Sequence, residues 1–211
     1  MTKSILIVGV GGQGTLLTGR IMGNHAMEKG LDVKMSEVHG MAQRGGSVVM
    51  QVKYGEKVYS PLVDFGEADI IFAFEKLEAL RYLPYLKEDG VMIVNTQSID
   101  PMPVVIGVEA YPDQIEEKLK AVCKDICFMD ALKIAEEIGN VKVVNMIMIG
   151  AYAAYIGDSV EEWEEIVEKT VPPKTIEMNK EALRQGYRDQ DQPYGSRQRS
   201  RGCRMPEVRY R

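Results

Sequence analysis

Residues 5–20 read ILIVGVGGQGTLLTGR, an unbroken apolar run, then glycine at positions 9, 11, 12 and 14, then a helical pattern. No other stretch limits the fold so tightly. A strand buried on both faces, a turn that only glycine can make, and a helix leaving that turn form the first half of a βα unit in a sheet covered on both sides. Gly9, Gly11 and Gly14 satisfy G-x-G-x-x-G, whose backbone N–H groups can face a phosphate at the positive end of the helix. The motif by itself is weak.

The rest of the chain continues in the same style. A helix over 15–29 is predicted to close at Gly30, and Gly19 and Gly23, one turn apart, mark a close approach of that helix to a sheet. LDVKMSEV reads as a second strand, followed by the glycine-rich HGMAQRGG. SVVMQVKYG and KVYSPLV alternate like two strands joined at YGEK. ADIIFAF, EKLEALRYLPYLK and GVMIVNT form a βαβ unit whose helix Pro84 bends or breaks. PVVIGVEAYP and DICFMDA are further strand candidates around the helix DQIEEKLKAV. From Ala131 the pattern is helical: ALKIAEEIG, the nearly apolar VVNMIMIGAYAAYIG, SVEEWEEIVEKT with a capping box from Ser159 to Glu162, and PPKTIEMNKEALRQG ending at Gly186. The expected fold class is therefore α/β, a Rossmann-like, mixed or mostly parallel sheet with helices on both faces, plus a C-terminal helical segment. One domain over 1–187 is expected, with 188–211 a disordered basic tail.

Charge and cysteine content narrow the function classes. The chain carries −5 overall, yet Arg188 to Arg211 contribute seven arginines against three acids, so the body is markedly acidic. An acidic body argues against nucleic acid as the main partner. The first residues cannot serve as a signal h-region or span a bilayer, so no membrane is expected and a cytoplasmic location is. Cys123, Cys127 and Cys203 are too few for a disulfide framework or a four-cysteine cluster. No nucleophile-base-acid triad or HExxH motif is present, which leaves a hydrolase without support.

A dinucleotide site needs an acid at the end of the second strand, about 20 residues past the turn, and Glu37 is permissive but late. The second strand then enters a glycine-rich loop and another strand, where a dinucleotide domain would enter a helix. Gln13 is a polar side chain where a small residue is the rule. These departures point away from free-standing NAD or FAD binding, although a nucleotide-binding module stays open as an alternative.

GVGGQG at 9–14 followed by SEVHGMAQRGGSV at 36–48 resembles the gamma-type subunits of 2-oxoacid:ferredoxin oxidoreductases, and GNVKVVNMIMIGA at 139–151 and MNKEALRQG at 178–186 extend the likeness to about Gly186. Within that family the likeness is greatest to the small subunit of the indolepyruvate branch, with pyruvate and 2-oxoglutarate branches as alternatives. The resemblance implies a heteromeric enzyme that decarboxylates a 2-oxoacid, passes two electrons to ferredoxin and releases an acyl-CoA. It implies that thiamine diphosphate, Mg and the [4Fe-4S] clusters belong to a large partner subunit and that coenzyme A is a substrate. GDS at 157–159 with Asn179 mimics a thiamine diphosphate motif, but Asp158 and Ser159 already have a capping role.

The two motif segments supply the candidate binding residues: Gly9, Gly11, Gly12, Gln13, Gly14, Glu37, His39, Gln43, Arg44, Gly45, Gly46 and Ser47. They are expected at one end of the sheet, facing CoA phosphates or a partner subunit. Arg44 is the leading anion contact because its guanidinium is permanently charged and fork-shaped, with a salt bridge to Glu37 as the alternative. His39 could position a substrate or hydrogen-bond a neighbouring loop. Gly45 and Gly46 suggest positive φ or close approach. Ser47 could bond across a subunit contact. Asn145 needs a partner if buried. His25 reads as a surface or interface residue, and the apolar helix at 141–156 suggests a stable partner or a homodimer.

Overall fold

The computed structural model describes residues 2–40 and 45–189. β1 (Lys3–Val10) leads through α1 (Thr15–Glu28) to β2 (Asp32–His39) and β3 (Ser47–Gly55). β4 (Ala68–Ala73), α2 (Lys76–Tyr82) and β5 (Leu86–Asn95) form the predicted βαβ unit, with Pro84 in a short 3₁₀ turn that ends the helix. Then come α3 (Met102–Val105), α4 (Ile115–Val122), β6 (Asp125–Met129), α5 (Ala131–Ile138), α6 (Val144–Ile156), α7 (Val160–Thr170) and α8 (Ile176–Asp189). The strands form one sheet in the order β2-β3-β1-β4-β5-β6. β1, β4, β5 and β6 run parallel, and β3 is antiparallel to both its neighbours, so the sheet is mixed as expected.

Two cores explain why β1 lacks alternation. Ile5 and Ile7 face one core with Phe72, Ile93, α1 and α5 to α8. Leu6 and Val8 face the other with Ile71, Val94, α2 and α4. All four β1 side chains are at most 1% exposed, so each position must be apolar. Burial on both faces is what a sheet clad by helices imposes. The close approach at α1 is also present, since a Cβ on Gly19 would lie 2.8 Å from Met50 and one on Gly23 3.0 Å from the Met35 sulfur.

Three sequence expectations need correction. KVYSPLV is not a strand: β3 is flanked by β2 and β1, so a hairpin partner has no edge to join. The segment instead crosses below the sheet, where Val58 N donates to Asp32 Oδ2 at 3.0 Å and Val63 N to Gln51 Oε1 at 2.7 Å. PVVIGVEAYP is not a strand either, because β4 and β6 occupy both edges of β5. Proline in the first turn presets φ for the short helix α3 found there. Finally, α8 does not stop at Gly186 but passes through it to Asp189.

α6 is apolar all round because it is enclosed by the chain itself. Its residues from Val144 to Ala153 are buried within the first core, against α1, α5, α7 and α8. The inference of an outside partner from this helix therefore fails. Among the described residues no helix is long and apolar enough to cross a membrane. α8 continues across the expected tail boundary at 188 as far as Asp189, and residues 190–211 lie outside the described residues.

Candidate functional site

β1 feeds α1 and turns towards β2, while β4, β5 and β6 proceed the other way, so connections diverge where β1 and β4 end. Open α/β sheets bind ligands in the crevice at such a switch point. Here the crevice is filled from within. Gln13 folds back across it, its Oε1 accepting from Val10 N at 2.7 Å and its Nε2 donating to Phe74 O and Gln97 Oε1, both at 3.1 Å. One side chain thus ties together the ends of β1, β4 and β5. A Cβ on Gly9 would sit 2.8 Å from that Gln13 oxygen and 3.0 Å from the Phe74 Cβ, which accounts for the first glycine.

The predicted meeting of the two motif segments is present. Gly11 N donates to Gly46 O at 2.8 Å, and Gly45 N to Gly11 O at 3.5 Å. Gly12, Gly14 and Gly45 have φ of 107°, 88° and 75°, backbone that L side chains rarely adopt. Among the described residues no side chain caps α1 at Gly14, so the positive end of the helix has no side-chain acceptor there. Asn145, 2% exposed at the start of α6, packs its amide against Gly14, and its Oδ1 has no hydrogen-bond partner among the described residues.

Glu37 and His39 lie on β2 at the same end of the sheet, both exposed, with β3 between them and the glycine turn. Two strand spacings separate β2 from β1, roughly 10 Å. Glu37 therefore stands two strands from the turn, where a dinucleotide domain sets its ribose-binding acid on the strand next to β1. His39 Nδ1 is 3.0 Å from Gly40 O, the neighbouring carbonyl. Gln43 and Arg44 lie outside the described residues. Ser47 bonds inwards: its Oγ donates to Glu78 Oε2 at 2.5 Å.

Two buried carboxylates here carry no sequence signal. Glu75 and Glu78, 1% and 2% exposed, sit three residues apart at the start of α2. Glu75 caps the helix by accepting from Glu78 N at 3.0 Å, and also accepts from Ile99 N at 3.1 Å and from the Tyr111 hydroxyl. Burial, followed by that bond to Glu75, pushes the Tyr111 phenol well up. Glu78 accepts from Arg81 Nη1 at 2.6 Å in addition to Ser47. Burial still raises its carboxyl above the ordinary range, with the Ser47 and Arg81 contacts only partly offsetting it. Asn95, wholly buried, completes the layer by donating to Phe74 O and accepting from Ala131 N.

Residues that resembled cofactor ligands are engaged elsewhere. Cys123 lies in the core under α2 and α4 and Cys127 packs on the opposite one, so the sheet separates them. Ser159 Oγ accepts from Glu162 N at 3.4 Å as the α7 cap, and Asn179 donates to Thr175 O. Asp158 lies 3.0 Å from His25 Nε2 and 3.1 Å from Lys29. His25, read from the sequence as a surface or interface residue, is half-buried and stacks on Trp163 of α7 with ring centroids 3.9 Å apart. Among the described residues, these side chains fit neither thiamine diphosphate nor an iron-sulfur cluster.

Comparison with known proteins supplies the context. Residues 4–188 match the family described as pyruvate ferredoxin/flavodoxin oxidoreductase. The chain is 42% identical over 191 residues to indolepyruvate oxidoreductase subunit IorB of Thermococcus kodakarensis, covering 88% of this chain and 94% of that protein. It is 33% identical over 190 residues to 2-oxoglutarate synthase subunit KorC of Methanothermobacter marburgensis, covering 88% and 95%. The crystal structure of pyruvate oxidoreductase subunit PORC from Thermotoga maritima superposes with a TM-score of 0.65 at 25% identity, over 89% of this chain and 96% of that one. With its strand order, its paired glycine turns and this match over nearly all the described residues, the chain belongs to the pyruvate ferredoxin/flavodoxin oxidoreductase family.

Proposed function

We propose that this chain is the small subunit of a cytoplasmic indolepyruvate:ferredoxin oxidoreductase, and that its paired glycine turns face the coenzyme A side of the reaction at the contact with a large subunit. The overall reaction takes a 2-oxoacid and a thiol, breaks the bond between the carboxylate and the oxo carbon to release carbon dioxide, forms the thioester, and sends two electrons to ferredoxin. Thiamine diphosphate held by the large subunit supplies the carbanion stabilisation, and its clusters carry the electrons. The observation that carries this reading is the backbone pairing of Gly11 with Gly45 and Gly46, the two residues that follow Arg44 in the sequence, next to a helix N-terminus with no side-chain cap among the described residues.

The chain's own contribution is to bind and orient. N–H groups at the start of α1 offer hydrogen bonds to a phosphate oxygen without side-chain rearrangement. Arg44 adds a charge-assisted contact, and Gln13 keeps the switch-point crevice closed.

With the large subunit supplied, Arg44→Ala should raise the CoA concentration needed for half-maximal acyl-CoA formation by roughly ten- to a hundredfold, the loss of a contact of about 1.5 to 3 kcal/mol. Arg44→Lys should recover part of that loss, since a point charge does not reproduce the fork. Unchanged CoA dependence and subunit affinity in Arg44→Ala would sink the reading. A substrate panel decides the branch: preference for pyruvate or 2-oxoglutarate over indolepyruvate would move the chain within the family.

A further inference from the structure

Glu78 stands apart from every residue that the sequence singles out, yet it is joined to the paired turns by an unbroken chain of contacts. Arg81 Nη1 donates to its Oε1 at 2.6 Å, and Ser47 Oγ donates to its Oε2 at 2.5 Å. Ser47 directly follows Gly46, whose carbonyl accepts from Gly11 N at 2.8 Å. The other ionisable groups facing it are Glu75, which is spent on Ile99, Tyr111 and the helix cap, and the Tyr82 phenol beside Ser47.

A buried carboxylate is costly unless it is paired, and the side chain of Arg81 is 44% exposed. The compensating gain lies at the other oxygen. Gly45 and Gly46 have no side chains with which to hold their own turn, and Ser47, opposite Val10 at the end of the β1–β3 ladder, is the first side chain after it that ties it to a helix. A charge-assisted hydrogen bond from a rigid helix provides that anchor.

We infer that Glu78 is a positioning residue, which through Ser47 fixes the Gly45–Gly46 turn against the Gly9–Gly14 turn. Its bearing on CoA rests on the function proposed above; its bearing on the turn does not.

The two parts separate experimentally. Amide hydrogen exchange of the full chain by NMR reads the turn directly. In Glu78→Ala and in Ser47→Ala, the Gly11 amide should exchange at least tenfold faster, while amides in the β5 and β6 ladder keep their wild-type rates. In the Glu78→Ala, Ser47→Ala double variant the Gly11 acceleration should match that of either single change, because both cut one chain. Unchanged Gly11 exchange, or acceleration spread evenly over the sheet, would overturn the positioning role. With the large subunit added, the same variants should raise KM for CoA severalfold with little change in kcat. If Gly11 loosens and KM for CoA stays at the wild-type value, the positioning role stands and the CoA assignment of these turns falls.

Discussion

At the residue scale, side chains that would pass for ligands in the sequence are mostly ties between elements. Gln13 joins three strand ends, and Asp158 joins α1 to the start of α7 through His25 and Lys29. Burial pushes the Asp158 carboxyl up, but His25 and Lys29 more than offset this and hold it below its ordinary value. The folded chain therefore binds that proton more weakly than the unfolded chain does. Stability from this source is fully present above the unfolded pKa of about 3.9 and is lost as pH falls through the lower folded value. Asp158→Asn should consequently melt below wild type at pH 7, and the gap should narrow as the pH is lowered towards 3. A pH series of thermal unfolding curves checks this, and a gap independent of pH would remove the ion pair as its cause.

At the element scale, the decisive contact is the crossing of α6 and α8. A Cβ on Gly186 would fall 1.8 Å from Ile147 O, and one on Gly150 2.0 Å from Leu183 O. The two backbones thus touch at reciprocal glycines. Neither atom met is a side chain that can swing aside, so an added methyl forces the helices apart. Gly186→Ala should cost about 3 kcal/mol or more, the upper end for overpacked cores. For a domain of this size that is a fall of roughly 6 to 12 °C in Tm. Differential scanning calorimetry of Gly186→Ala beside an exposed control on the same helix, Arg188→Ala, measures it. Equal melting of the two would show that α8 shifts without strain.

At the scale of the whole molecule, the sheet brings two sequence segments more than thirty residues apart into one surface and keeps the cysteines apart. Cys123 and Cys127 address opposite cores, and burial pushes the Cys123 thiol up to about 11, so it is a poor thiolate ligand. The purified chain is therefore expected to be colourless and inactive, with acyl-CoA formation appearing on mixing with the large subunit. Visible absorption accompanied by stoichiometric iron in the isolated chain would contradict the division of labour between subunits.

The sequence by itself determined the elements whose cause is local. Ile5 to Val8 had to be a strand covered on both faces, Gly30 had to end α1, Pro84 had to break α2, and Ser159 had to cap α7. It also placed the two glycine motifs in one site, through their resemblance to a family and not through any rule of periodicity. What it left open has a single physical origin, competition for places in the sheet and the cores. KVYSPLV has strand periodicity but no free edge to pair with, and Gly186 resembles a helix stop until α6 is laid across it. Glu78 is an ordinary helix acid in one dimension. Only the folded sheet, by setting Ser47 against it and burying the carboxylate, makes it a buried anchor.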